Sequence, residues 1–127
     1  MDKVVFFNIP AEDIERAKKF YTEIFGWNIG ETEIPGYQLV KTAETDDNNI
    51  PKERGAINGG LYERFNSDER TEITIEVSSI DDYLKKIEDL GGSTVTGKIP
   101  IHDIGFYAEF SDTENNIIGL FQDIKSA

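Results

Sequence analysis

The chain has 127 residues, enough for one domain or two small fused modules, and carries 25 acidic against 13 basic residues for a formal charge of −12. That balance argues against phosphate backbones and anionic membrane surfaces as partners. The chain has no cysteine, so disulfides, thiolate metal sites, iron–sulfur clusters and a cysteine nucleophile are excluded, leaving carboxylate, histidine and other oxygen donors.

The opening "MDKVVFF" lacks the basic stretch and long apolar run of a secretory signal, and no run of about 18 apolar residues could span a bilayer. The expectation is a soluble cytoplasmic protein. "KVVFFNIP" is β-branched and aromatic, a strand that Pro10 should stop by removing a donor. "AEDIERAKKFYTEIFG" follows with Ile14, Ala17, Phe20 or Tyr21, and Ile24 at helical spacing, acidic residues at the start and Gly26 at the end. A less regular strand, "NIGETEI", leads to "PGYQLVK" (35–41). Residues 42–55, "TAETDDNNIPKERG", are a long polar stretch without periodicity, of the kind that is either functional or disordered. "INGGLY" (57–62) closes the first half.

The same order then repeats. "TEITIEV" alternates, with Ile73, Ile75 and Val77 on one face and Glu72, Thr74 and Glu76 on the other. "SSIDDYLKKIEDLGG" has Ser79 and Asp82 at capping-box spacing, an apolar stripe of Ile80, Leu84, Ile87 and Leu90, and two glycines to stop it. "STVTGK", "IGFYAEF" (104–110) and "NNIIGLFQ" (115–122) complete the second half. Gly119 is unusual there, because a glycine in a buried strand packs nothing, and the match of "INGGLY" with "IIGLFQ" pairs it with Gly60. The fold class is therefore α+β, built from two tandem βαβββ modules, the first about 3–64 and the second about 70–123, within one domain spanning 1–127.

This doubled module, with "IERAKKFYTEIFGW" early and "FSDTENNIIGLFQ" late, resembles the vicinal oxygen chelate superfamily, which includes glyoxalase I, extradiol dioxygenases and bleomycin resistance proteins. Asp112, Glu114 and Asn116 are similar to that family's Asp-Pro-Asp/Glu-Gly-Asn turn, with Thr113 and Asn115 departing at its proline and glycine. The resemblance implies curved half-barrel sheets around a cup-shaped site. In metal-dependent members it also implies a divalent ion held from the first and last strands of each module. Here those positions fall on Val4 or Phe6, Glu72, Gly60 and Gly119, so Glu72 is the one candidate ligand. The lone histidine, His102, lies in a loop that leads into a strand and reads as a rim residue. Asn8, Gln122 and Glu109 could add oxygen, but alternation turns Gln122 away from the face of Gly119.

The expectation is then a protein with no metal and no cofactor that binds a small organic molecule in a cup lined by Phe6, Asn8, Tyr37, Gly60, Glu72, Thr74, Tyr107 and Gly119, with the glycines leaving room. The alternatives are a metal-dependent lyase or dioxygenase of the glyoxalase I type using a divalent metal ion, and an interaction domain whose cup is filled by its own side chains. Partners are expected to be a small-molecule ligand and a second copy in a homodimer, with no nucleic acid and no membrane.

Overall fold

The computed structural model describes residues 1–126. Among them are eight strands and two helices, in the order β1 (Lys3–Ala11), α1 (Ile14–Phe25), β2 (Asn28–Glu31), β3 (Tyr37–Lys41), β4 (Asn58–Glu63), β5 (Glu72–Glu76), α2 (Ile80–Asp89), β6 (Ser93–Ile101), β7 (Gly105–Ser111) and β8 (Ile117–Asp123). No described helix is long and apolar enough to cross a membrane. The chain divides into two compact units, Phe6–Thr71 and a second made of Met1–Val5 together with the residues from Glu72 onward.

In the first unit the strand order is β2-β3-β4-β1, with β1 parallel to β4 and the other neighbours antiparallel. Asp13 starts α1 by accepting a hydrogen bond from the Arg16 amide at 3.0 Å, and Gly26 ends it in the left-handed conformation at φ 70°. Ile14, Ala17 and Tyr21 pack with Phe7, Ile9 and Trp27 against the buried Ala11, Ile29, Val40 and Leu61. Tyr21 stacks on Trp27 with ring centroids 5.1 Å apart. Two expectations are corrected. Of the alternatives Phe20 or Tyr21 it is Tyr21 that joins the core, but Ile24, expected on the same stripe, stands exposed. Nor does Pro10 end its strand: the pairing with β4 runs on through Ala11, whose carbonyl accepts from the Arg64 amide at 2.9 Å.

The second unit has the order β5-β8-β7-β6, with β5 parallel to β8. Its core is Val77, Ile80, Ala108 and Leu120, with Ile75, Tyr83, Leu84, Ile87, Phe106 and Phe110 packed on it. The helix start is doubly held: Ser79 Oγ accepts from the Asp82 amide at 3.2 Å and Gln122 Oε1 accepts from the Ile80 amide at 2.9 Å. Gln122 thus lies on the helix side of the sheet, as alternation from Gly119 requires. Gly91, at φ 101°, follows the helix end.

The polar stretch 42–55 is ordered. Asp46 Oδ1 accepts from the amides of Asn48 and Ile50, a bridge joins Thr45 to Pro51, and the buried Asn58 Oδ1 accepts from the Thr42 amide at 2.8 Å and the Ala43 amide at 3.2 Å.

Candidate functional site

Each sheet has one face against its helix and one face turned away from it, and the sequence-selected residues all fall on the second kind. In β1, Phe7 and Ile9 pack in the core, so Phe6 and Asn8 point to the opposite face. Asn8 pairs with Gly60 in β4, and Gly60 in turn faces Leu39 in β3. In the second unit Thr74 pairs with Gly119, which faces Glu109. The registers therefore make Asn8 the counterpart of Thr74, Phe6 rather than Val4 the counterpart of Glu72, and Leu39 the counterpart of Glu109.

Neither glycine leaves an empty gap, which corrects the expectation of free room. A Cβ on Gly60 would collide with the Tyr37 hydroxyl and would stand 2.8 Å from Asn8 Oδ1. One on Gly119 would meet Thr74 Oγ1 at 2.7 Å and the Tyr107 hydroxyl at 2.8 Å. Glycine is required because a tyrosine on the adjacent strand lays its phenol across the backbone.

The two clusters differ in charge. In the first unit the Tyr37 hydroxyl donates to Asn8 Oδ1 at 3.3 Å, and burial pushes its pKa up to about 12, so this cluster is neutral across the ordinary pH range. In the second unit the Tyr107 hydroxyl donates to Glu72 Oε1 and lies 3.5 Å from Glu109 Oε2, while Thr96 Oγ1 donates to Glu109 Oε1 at 2.8 Å. Beside them Thr74, 2% exposed, has a hydroxyl with no hydrogen-bond partner. Leaving such a group unsatisfied costs about 1–3 kcal/mol.

Glu72, Thr74, Tyr107 and Gly119 are thus brought together in one unit, and Asn8, Tyr37 and Gly60, with Phe6 on the same face, in the other. Thr96 was not selected from the sequence; its pairing with Glu109 depends on the β6 register, which shifts on both sides of Thr96. His102 is exposed in the turn before β7 at φ 40°. Asp112 accepts from the Asn116 backbone amide at 2.9 Å, the Asn116 side-chain amide at 3.0 Å and the Glu114 amide at 2.8 Å, and these bonds hold its carboxyl below the usual range. Asn115 takes the left-handed conformation at φ 66°, which asparagine tolerates in place of glycine.

The arrangement of strands can be compared with known proteins. The sequence model described as bleomycin resistance protein-like N-terminal matches residues 3–43. A hypothetical protein from Bacillus halodurans C-125 superposes with a TM-score of 0.67 at 14% identity, covering 96% of this chain and 94% of that one. A glyoxalase/bleomycin resistance protein/dioxygenase superfamily member from Vibrio splendidus 12B01 gives a TM-score of 0.61 at 14% identity, over 97% and 100% of the two chains. The fold is that of the vicinal oxygen chelate superfamily. Methylmalonyl-CoA epimerase from Mycobacterium tuberculosis is similar to the same degree, with a TM-score of 0.66 at 14% identity and coverage of 94% and 87%. No curated protein matches the sequence.

Metal-dependent vicinal oxygen chelate proteins hold their ion at the positions that resemblance places on Phe6, Glu72, Gly60 and Gly119. Among these only Glu72 has a donor, and the space a carboxylate would need at both glycines is taken by phenol oxygens. Among the described residues no group of three or more His, Asp or Glu side chains could hold an ion. The donor set does not fit a divalent metal, which needs three or four protein ligands for a catalytic or closed site.

A hollow of about 410 Å³ lies elsewhere in the first unit, lined by Ala11, Asp13, Arg16, Phe20, Tyr21 and Arg64 among others. It contains none of the cluster residues.

Proposed function

We propose that this protein is a metal-free member of the vicinal oxygen chelate superfamily that binds a small organic molecule through the side chains on the sheet faces turned away from the helices. The observation that carries this reading is the Thr74 hydroxyl, buried and unpartnered beside Tyr107, Glu72 and Glu109. Buried polar atoms are ordinarily satisfied, so an orphan among convergent polar groups points to a ligand that completes the set. Phe6, Asn8, Tyr37 and Gly60 supply the equivalent neutral positions of the first unit.

We place the protein in the cytoplasm and as a homodimer. The support for pairing is physical: β2 and β6 are edge strands of their units, and Val95 and Ile99 on β6 are exposed.

The test combines two measurements on the full chain purified without chelator. Elemental analysis should find nickel, zinc, manganese and iron far below one per chain. A thermal-shift screen of small organic molecules should find compounds that raise the unfolding temperature of the native sequence and not of Thr74→Val. Stoichiometric metal would instead favour a lyase or dioxygenase of the glyoxalase I type. A metal-free protein that no compound stabilises would leave an interaction domain.

A further inference from the structure

We infer that the ligand taken by the second unit is a protonated amine, seated at the Glu109 carboxylate with Thr74 and Tyr107 beside it. The inference rests on the small-molecule reading above and names the chemistry of its ligand.

In this cluster acceptor lone pairs outnumber the protons available to them. The Tyr107 hydroxyl has one proton and two carboxylates within reach, and the close contact to Glu72 takes it. Glu109 Oε2, at 3.5 Å from the same hydroxyl, is left with at most a weak bond, and the donor on its other oxygen is the neutral hydroxyl of Thr96. Glu109 is half-buried, where a carboxylate held only by neutral donors still favours a cation. Thr74 Oγ1, 2% exposed at the residue level, has no partner and adds two lone pairs against its one proton. An ammonium group offers three donors, one full charge and no acceptor, which matches this surplus; an alcohol offers one donor and no charge, and an anion is repelled.

The internal duplication acts as a control within the molecule. The same strand positions in the first unit hold Phe6, Asn8, Tyr37 and Leu39, which keep the tyrosine–glycine contact and carry no carboxylate. Packing of the fold thus needs the tyrosine and the glycine but not Glu72 or Glu109. The two acids are an addition specific to the second unit. On the same face, Phe121 pairs with Tyr107 and provides an aromatic surface for the organic part of the ligand.

Benzylammonium chloride and its neutral isostere benzyl alcohol would be titrated into the full, isotope-labelled chain at neutral pH, following the backbone amides of Thr74, Tyr107, Glu109 and Gly119. We expect benzylammonium to shift these amides with an affinity at least tenfold above that of benzyl alcohol, and Glu109→Gln to abolish the difference. Glu72→Gln serves as the second variant if Glu109→Gln unfolds. Equal affinity for the two probes at these amides overturns the amine and leaves small-molecule binding standing. Binding of benzylammonium that is unchanged in Glu109→Gln, or in Glu72→Gln where Glu109→Gln does not fold, overturns the assignment of the site. No shift with either probe overturns the inference; stoichiometric metal in the same sample would show that the underlying reading had failed as well.

Discussion

The Tyr107 hydroxyl stands 2.8 Å from the point where a Cβ of Gly119 would be, so the glycine on β8 and the tyrosine on β7 share one volume between them. Their first-unit counterparts, Tyr37 and Gly60, do the same.

Gly119→Ala should therefore destabilise the protein by about 1–3 kcal/mol, the usual range for overpacking, since the added methyl also meets Thr74 Oγ1 at 2.7 Å. Gly97→Ala, where nothing lies within 4 Å of the new Cβ, should change stability by about 0.5 kcal/mol or less. Urea unfolding of the two variants measures the contrast. Equal effects would mean that Tyr107 does not occupy this space.

Gln122→Ala removes the acceptor of the Ile80 amide at a site where Gln122 is 4% exposed. An amide left unsatisfied there should cost about 1–3 kcal/mol, and the loss should exceed that of Ser79→Ala, expected near 1 kcal/mol for an N-cap. The double variant, read by chemical denaturation, tests whether the two supports of α2 act together: a loss above the sum of the singles shows that one partly covers for the other, and a loss below it that each depends on the other.

Tyr37 sets a pH dependence whose sign is fixed. Burial raises its folded pKa to about 12, above the usual value near 10, so the folded state retains a proton that the unfolded state gives up. Its contribution is present in full below about pH 10 and is lost as pH rises toward 12, a decline of roughly 3 kcal/mol at about 1.4 kcal/mol per unit. Tyr37→Phe should flatten that part of the stability profile, followed by circular dichroism across pH 9–12. An unchanged slope would place the phenol in contact with solvent.

Asn58→Ala should release the loop 42–55, because Asn58 Oδ1 holds the amides of Thr42 and Ala43. Limited trypsin digestion should then cut at Lys52 and Arg54 several-fold faster than in the native protein, and the global stability should fall by about 1–3 kcal/mol for the amides left without their acceptor. Cleavage at the native rate would show that the Asp46 turn alone maintains the loop.

Much of this architecture could be read from local signals. Asp13, Gly26, Ser79 and Gly91 bound their helices by backbone chemistry that acts within a few residues, and the alternation of Glu72 to Val77 fixed the facing of β5 without any tertiary knowledge. Long-range register was harder. Aligning Gly36-Tyr37 with Gly105-Phe106 sets Tyr37 one residue off its true counterpart, Tyr107, because Gly36 is a left-handed turn residue outside β3 whereas Gly105 is the first residue of β7. The exposure of Ile24 was not legible either, nor which of Phe20 and Tyr21 would pack, since helical periodicity admits a wider apolar stripe than the sheet beneath α1 covers. At the site, glycine was recognisable as a vacancy but not as one already filled, because the filling group comes from another strand.

The second unit gathers Met1–Val5 to residues that begin only at Glu72, and Tyr83 donates to Asp2 at 2.6 Å. It is discontinuous along the polypeptide, whereas the Phe6–Thr71 unit is contiguous. Cutting the gene at the midpoint would thus yield a first fragment with a surplus N-terminal tail and a second fragment short of its own complement. Permuting the chain to begin at Glu72, with the present termini joined, would instead make the second unit contiguous as the first already is, and such a permutant is the arrangement in which duplicated halves could be exchanged intact.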